Sequence, residues 1–502
     1  MGKAGQVTLK VKGNMLGVFP TDRKIIDLLS PVTSYMHCVN EPGRGYTTFK
    51  RELFDIEPDG TFMTMSGLES RVIRRLSAYG YRVAVQRIDP VELYCDLDRL
   101  DEEDLANLVD RDDQVAVLGL VVDLPHGFIV EAPTGWGKSY ALAQICKILP
   151  KAKIAIVTPG RTLASALYTR LRKHIRDVGR AGDGFKDIRR ITISTMTSVG
   201  MLSHTNKPWD LVLCDEVHRA GAPQTSEDFI SAFPTAKCIG FSASPTGRTD
   251  NADTLVEAMF GPILYKVGYS DAVKRGSIVP VNVVMVPVDH GPDYPSGTRT
   301  DVVNRNGLWR NDYRNRLIAD IVNAIPDEDQ CLILVATADH LWSLHQLLPN
   351  YALALSQTHS KRILNSPDWA LVPGATSTGS MEREYLKYLR TEFEEGRVKK
   401  AIATPIWDTG VDFKQLKYLI RADGGRSSIK TIQSLGRLSR THEEKSVGVL
   451  VDFVDQFSAS LLRRSATRIK TYRDAGHRVV KLPYNDNRIM ESILVTGGGE
   501  SG

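Results

Sequence analysis

Cysteine is scarce and unpaired in this sequence. Cys38, Cys95, Cys146, Cys214, Cys238 and Cys331 are scattered without a C-x-x-C pair, so neither a zinc knuckle nor a disulfide framework is indicated. Long apolar runs are missing too. No stretch of about 18 apolar residues could cross a membrane, and the opening MGKAGQVTLKVKGN lacks the apolar segment of a secretory signal. The expectation is a cytoplasmic chain of reduced thiols with no membrane partner. Charge of one sign is not in excess either, since a net +5 over 502 residues permits a polyanionic partner without demanding one. With 42% hydrophobic and 25% charged residues, 40 Gly and 24 Pro, the composition excludes a fibrous or wholly disordered chain.

One core cannot serve 502 residues, so several folded units are expected. Residues 1–104 alternate short strand-like runs with one helix, in which Ser66 and Glu69 make a capping-box pattern with apolar Leu68, Val72, Leu76 and Tyr79, closed by Gly80. Between Glu92 and Asp113 ten acidic residues stand against two basic ones, which marks either a domain boundary or solvated linker or, the preferred reading, simply an exposed acidic face. From about 105 come Val- and Ile-rich runs (FIVEAP, KIAIVTP, DLVLCDE, CIGFSAS) separated by helix-length segments, predicting a parallel sheet over 105–285. The alternation resumes at CLILVAT, VKKAIAT, KYLIRAD and VGVLVDF, predicting a second such sheet over 286–460. Residues 461–482 hold seven Lys or Arg against one Asp, so 461–502 reads as a basic helix, either a solvated face or a nucleic-acid contact, before a Gly-rich end. The predicted fold class is α/β, with two parallel-sheet domains in tandem, a small α+β N-terminal domain and a short basic helical C-terminal segment.

The chemistry gathers at strand ends. APTGWGKS at 132–139 follows FIVEAP and precedes the helix-like YALAQICKIL, so backbone N–H groups from Gly135 to Lys138 would wrap phosphates at the positive end of a helix. Pro133, Thr134, Gly135, Trp136 and Gly137 form the loop, Lys138 would bridge the outer phosphates, and Ser139 would ligate Mg2+. Ala132 stands where the general G-x-x-x-x-G-K-[ST] pattern begins with glycine, and the bulky Trp136 has no explanation in the sequence. Asp215 and Glu216 end DLVLCDE, at the edge where parallel sheets bind ligands. There Asp215 would hold Mg2+ through its water shell, and Glu216 would orient and deprotonate an attacking water. The two halves together predict hydrolysis of ATP with Mg2+.

DEVHRAG, SASP and QSLGRLSR, in that order, resemble the motifs of DExH-type superfamily 2 helicases, over Gln114 to about Asp452. The resemblance implies two RecA-like domains facing each other across ATP. It implies that Gln114 in RDDQ reads adenine, although Asp113 stands where an aromatic is common. PGRTLA (159–164) and STMTS (194–198) resemble motifs that touch the nucleic-acid backbone, which makes Arg161 and Thr195 candidates beside Thr404; a plain loop after a buried strand is the other reading. His218, Ser242 and Ser244 would couple the ATP site to the strand. In TPIWDTGVD (404–412) Gly410 would let the backbone approach and Asp412 would lie near the ribose. In QSLGRLSR (433–440) Gln433 would face the γ-phosphate side, and Arg437 and Arg440 would reach it, a role that suits guanidinium groups facing charge spread over phosphoryl oxygens.

Nearly the whole chain, from NEPGRGYTTFKRELFDIEPDG through the two motor segments, is also similar to the phage recombination helicases of the UvsW type. That similarity implies a monomer acting on duplex, forked or branched DNA, with RNA as the alternative partner. Two further readings stay open: an accessory protein whose nucleic-acid affinity ATP merely switches, and a translocase that separates no strands. An intact Glu216 argues against the pure switch, which could dispense with a base.

Overall fold

The computed structural model describes residues 5–41, 45–109, 112–203, 205–248, 250–295, 297–355, 360–407, 413–442 and 445–482. The chain divides into two compact units, residues 1–133 with 137–268, and residues 269–502 with 134–136. Among the described residues no helix is long and apolar enough to cross a membrane.

The first unit opens with a five-stranded sheet. β1 (Gln6–Lys12) lies between antiparallel β2 (Met15–Phe19) and parallel β7 (Arg82–Ile88). A separate antiparallel ribbon is formed by β3 (Ser34–Glu41) and β4 (Gly45–Glu52), while β5 (Phe54–Ile56) and β6 (Phe62–Met65) extend the sheet beyond β2. Alternation in VTLKV puts Val7, Leu9 and Val11 on one face, where they pack with Ile25 and Leu29 of α1 (Arg23–Leu29) and Val72 and Leu76 of α2 (Glu69–Ala78). The predicted capping box is not formed. Ser66–Leu68 is a 3-10 turn, no side chain caps α2, and the Glu69 carboxylate instead accepts from both Nη atoms of Arg87 on β7, at 2.8 and 2.9 Å. A bidentate guanidinium is a stronger partner than one backbone N–H.

The larger sheet of this unit contains β8 (Phe128–Glu131), β9 (Ile154–Thr158), β10 (Val178–Gly182), β11 (Phe185–Asp187), β12 (Ile191–Thr195), β13 (Leu211–Asp215), β14 (Lys237–Ser242) and β15 (Ile263–Lys266). Their order is β11-β10-β12-β9-β13-β14-β8-β15, and every pair but β10 with β11 is parallel. α3 (Glu102–Val109), α4 (Asp112–Asp123), α5 (Lys138–Ile148), α6 (Arg161–His174), α7 (Pro223–Ala232) and α8 (Asp253–Phe260) accompany it. The small sheet is fastened to the large one by Asn14, whose N–H donates to Pro234 O (3.0 Å), and by Arg71, whose Nε donates to Glu257 on α8 (2.9 Å). A Cβ at Gly67 would overlap the Glu257 carbonyl, so this approach requires glycine.

The acidic segment is not a solvated linker. Asp96 N donates to Ile148 O at 2.8 Å, and Asp101 and Asp104 hold Lys147 of α5 at 3.1 and 2.5 Å, with Tyr140 OH on Asp104 at 3.0 Å. Asp104 and Lys147 are both buried. The segment is a strap against α5, and its lysine partner lies too far along the chain for a local charge count to find.

The second unit is one parallel sheet of β16 (Val281–Val288), β17 (Gln330–Leu334), β18 (Ala352–Ala354), β19 (Lys400–Ala403), β20 (Leu416–Arg421), β21 (Gly448–Asp455) and β22 (Arg478–Lys481), ordered β18-β19-β17-β20-β21-β16-β22. β16 pairs along its whole length with β21, so the expected boundary at 285/286 cuts through a strand of this sheet. The basic segment from 461 is likewise no appendage. β22 pairs with β16, and the helix Ala459–Asp474 buries Leu461, Ile469 and Tyr472. Its Arg468, 1% exposed, grips both oxygens of Asp452 at 2.7 and 3.0 Å; Asp452 is 0% exposed and also accepts from Tyr472 OH at 2.7 Å. The Gly-rich end lies outside the described residues.

Arg468→Ala is expected to cost about 3 to 5 kcal/mol, because it leaves the Asp452 charge buried without its cation. The double replacement Arg468→Met with Asp452→Leu is expected to recover most of that loss. Urea unfolding of the three proteins checks the pair; equal losses in the single and double variants would contradict it.

Candidate functional site

Parallel register brings three loops to one edge of the eight-stranded sheet. Asp215, the last residue of β13, stands opposite Phe241 of β14, and Ser242, the last of β14, stands opposite Glu131, the last of β8. The segments that follow these strands therefore leave the sheet side by side, at its C-terminal edge.

Between β8 and α5 the chain turns through Gly135 and Gly137, whose φ values of +97° and +98° lie in the left-handed region that glycine adopts at no steric cost. α5 starts at Lys138 with no side-chain cap, the kind of helix start that accepts a phosphate oxygen. Lys138 Nζ folds back over the loop and donates to the carbonyls of Ala132 (3.2 Å) and Pro133 (3.4 Å). Ser139 follows in the first turn of α5. Pro133 and Thr134 are half-buried, whereas Trp136 is fully buried.

Beside this loop Asp215 is 4% exposed, and its Oδ1 accepts from Glu216 N at 3.0 Å. Glu216 itself is left-handed, with φ +52°, which turns the chain sharply off β13. Ser242 joins three neighbours through one hydroxyl. Its Oγ donates to Glu216 Oε2 (3.3 Å), accepts from Ser244 N (3.1 Å), and lies 3.0 Å from His218 Nδ1. A hydroxyl has one proton, and with that proton on Glu216 the imidazole must donate, which assigns His218 as the neutral Nδ1–H tautomer. Burial pushes the His218 pKa down to about 4, the nearby Glu216 carboxylate opposes that shift, and the cations Arg219, Arg248 and Lys138 reinforce it.

The other expected residues are spread over both units. Gln114 is fully buried in the first turn of α4, with its N–H on Asp113 Oδ1 at 2.9 Å. Arg161 starts α6 with its side chain 82% exposed and pairs with Asp183. Thr195 does not present its hydroxyl outward. All five residues of β12 are buried, and Thr195 Oγ1 bonds to Thr197 Oγ1 and Ser198 Oγ, each at 3.1 Å, so it braces the turn. In the second unit Thr404 follows β19 and donates through N and Oγ1 to Ala354 O, at 3.0 and 3.3 Å. Arg437, on the helix Ser428–Leu438, is buried with Nη1 on the Trp407 carbonyl, and Arg440 follows that helix half-buried. Gln433 is on the same helix, its side chain outside what is described, and Gly410 and Asp412 lie outside the described residues.

Two residues absent from the motif reading join the cluster. Arg248 Nη1 donates to the His218 carbonyl, while its Nε donates to Asp250 Oδ1 at 2.9 Å. The only sequence signal is the R-T-D triplet after SASPTG.

Because the folded-state pKa of His218 lies below its unfolded value, the unfolded chain binds the extra proton between about pH 6.5 and 4. The stability this residue contributes is intact above about pH 6.5 and falls as the pH drops towards 4, by on the order of 3 kcal/mol. In melting curves taken across that window His218→Asn should be flatter than wild type. Parallel curves would contradict the assignment.

Comparison with known proteins bears on this edge. The family model described as the type III restriction enzyme Res subunit matches residues 103–247. The chain is 21% identical over 360 residues to putative helicase 22 of Sulfolobus islandicus filamentous virus, a match covering 65% of this chain and 60% of that protein. It is 22% identical over 365 residues to the ATP-dependent DNA helicase uvsW of Enterobacteria phage T4, covering 68% of each. Among solved structures, S. cerevisiae Dbp5 bound to RNA and ADP BeF3 shares the fold, with a TM-score of 0.54 at 14% identity over 80% of this chain and 97% of that one. The chain thus shares the fold of a solved helicase, its curated relatives are named helicases, and residues 103–247 match a restriction-enzyme motor family.

Proposed function

We propose that the chain is an ATP-dependent DNA helicase or translocase, which turns ATP hydrolysis into movement along, or remodelling of, duplex, forked or branched DNA. The observation that carries this reading is the adjacency, along one sheet edge, of the Gly135–Gly137 loop, the Asp215–Glu216 pair and the Ser242–His218 contact. A DNA substrate is supported by the relative named as a DNA helicase.

The residues present suit a nucleoside triphosphate. Gly135 and Gly137 give the loop its left-handed turns, α5 begins uncapped, and Lys138 brings a cation to the same loop. Pro133, Thr134 and Trp136 complete that loop, and Gln114 is the proposed adenine reader. Among the described residues no group of three or more His, Cys, Asp or Glu could hold a metal. Asp215 and Ser139 instead suit Mg2+ that comes with the phosphates and keeps most of its waters. Bound there, Mg2+ would neutralise charge on the phosphate oxygens.

The chain's own residues divide the remaining work. Lys138 would leave the Ala132 and Pro133 carbonyls for the outer phosphates. Glu216, held at Oε2 by Ser242, would take the proton of the attacking water at Oε1. Neutral His218 adds no second charge beside that carboxylate, and with Ser242 and Ser244 it would carry the state of the site into β14. Arg437, Arg440 and Gln433 are the proposed partners of the γ-phosphoryl group, and Gly410 and Asp412 of the ribose side. Arg161 and Thr404 are the proposed contacts to the nucleic-acid backbone.

Steady-state phosphate release, with and without forked DNA, tests the reading. DNA should stimulate the wild type, and Glu216→Gln should lower kcat on the order of 10²- to 10⁴-fold. Lys138→Ala should also lose activity. Variants that turn over like the wild type would remove the enzymatic reading.

A further inference from the structure

We propose that Arg248 and Asp250 are positioning residues, a clasp tying the DEVH turn beside Glu216 to the β3–β4 ribbon so that the seating of the ribbon sets the rate of hydrolysis. The inference rests on the reading of Glu216 as the base.

The clasp has one end on each partner. On the catalytic side Arg248 Nη1 donates to the His218 carbonyl, and His218 in turn meets Ser242 at 3.0 Å and Glu216 Oε2 at 3.5 Å. On the other side the Arg248 guanidinium grips the Asp250 carboxylate through Nε (2.9 Å) and Nη2, with the two side chains only 13% and 23% exposed. A charge-assisted bidentate pair so far out of solvent holds its geometry better than a surface ion pair does. The carboxylate is itself fixed by Ala252 N at 3.1 Å.

From Asp250 the contact passes to the main chain of the ribbon. Asp250 O accepts from Cys38 N at 3.0 Å, and Asn251, left-handed with φ +60°, donates through Nδ2 to Met36 O at 3.1 Å. Residues 36 and 38 are alternate positions on β3, whose only other strand partner among the described residues is β4. The ribbon thus uses its second edge on the segment that carries the clasp. Packing supplies a parallel link, because Tyr35 of β3 belongs to the same buried apolar cluster as Val217 and Ala220 of the DEVH turn. Tyr35 and His37 meet edge to face, as do His37 and Phe49, which stiffens the inner face of the ribbon. Gly221 is part of the fit, since a Cβ there would stand 3.2 Å from Arg248 Nε and 2.9 Å from Val256.

Two readouts taken together test the clasp: amide hydrogen exchange of residues 34–41, and kcat and KM for ATP at saturating DNA. Arg248→Gln should speed that exchange and lower kcat on the order of tenfold to a hundredfold, as expected for a slightly misplaced base, with KM nearly unchanged. Asn251→Asp, which replaces the amide donated to Met36 with a carboxylate that cannot donate and still tolerates the left-handed backbone, should move both readouts in the same direction with Arg248 intact. It also decides the matter if Arg248→Gln fails to fold. Arg71→Gln, which loosens the small sheet at a different contact, should leave kcat and the 34–41 exchange unchanged. A loss of kcat without faster exchange in Arg248→Gln, or faster exchange at unchanged kcat in Asn251→Asp, would overturn the clasp while Glu216→Gln stays inactive. Wild-type turnover by Glu216→Gln would instead overturn the assignment of the base.

Discussion

The hydrogen-bond register between β13, β14 and β8 is the constraint on which the rest of the first unit depends. It sets Asp215 opposite Phe241 and Ser242 opposite Glu131, and so brings the starts of the three segments that hold the polar groups to one edge. No hairpin fixes a parallel register; burial on both faces does. All five residues of LVLCD and all six of KCIGFS are buried, so a slip by one position would exchange the two side-chain faces of the strand and carry Asp215 away from the edge. Gly240 contributes in a second way. A Cβ there would stand 2.6 Å from Val217, so glycine lets the turn after Glu216 lie back across β14.

Each unit buries an ion pair, Asp104 with Lys147 in the first and Asp452 with Arg468 in the second, and the first adds a polar group at the sheet edge. In the first, the group around Ser242 is small and carries a single negative charge, that of Glu216, because His218 is held neutral by burial. A protonated imidazole at that place would pull charge density from the carboxylate proposed to accept a proton. In the second unit the buried polar group is fully ionic, with Arg468 and Asp452 closed by Tyr472. There the charges fasten the helix Ala459–Asp474 to Asp452 within β21. The basic character of the 461–482 segment is thus partly spent inside the fold.

The residues legible in the sequence are those whose function demands a local pattern. The loop proposed to wrap phosphate sets Gly135 and Gly137 next to Lys138, and the carboxylate pair at the sheet edge follows an apolar strand, so both can be read from neighbours in sequence. What escapes such a reading is set by partners far along the chain. Glu69 leaves its capping box for Arg87, the acidic strap finds Lys147, and β16 finds β21, none of which a window of a few residues contains. The bonds of Thr195 to Thr197 and Ser198 are likewise set by the turn after β12 and not by the strand that precedes it. Arg248 and Asp250 lie outside the motifs, and only their contacts to the His218 carbonyl and to Cys38 show what they join.

The central claim is that this sheet edge spends ATP to move nucleic acid, and strand displacement on a labelled forked DNA duplex addresses it most directly. The account predicts that wild-type protein releases the labelled strand only when ATP and Mg2+ are present, and that Lys138→Ala releases none. Equal release by Lys138→Ala, or release by the wild type without ATP, would contradict it.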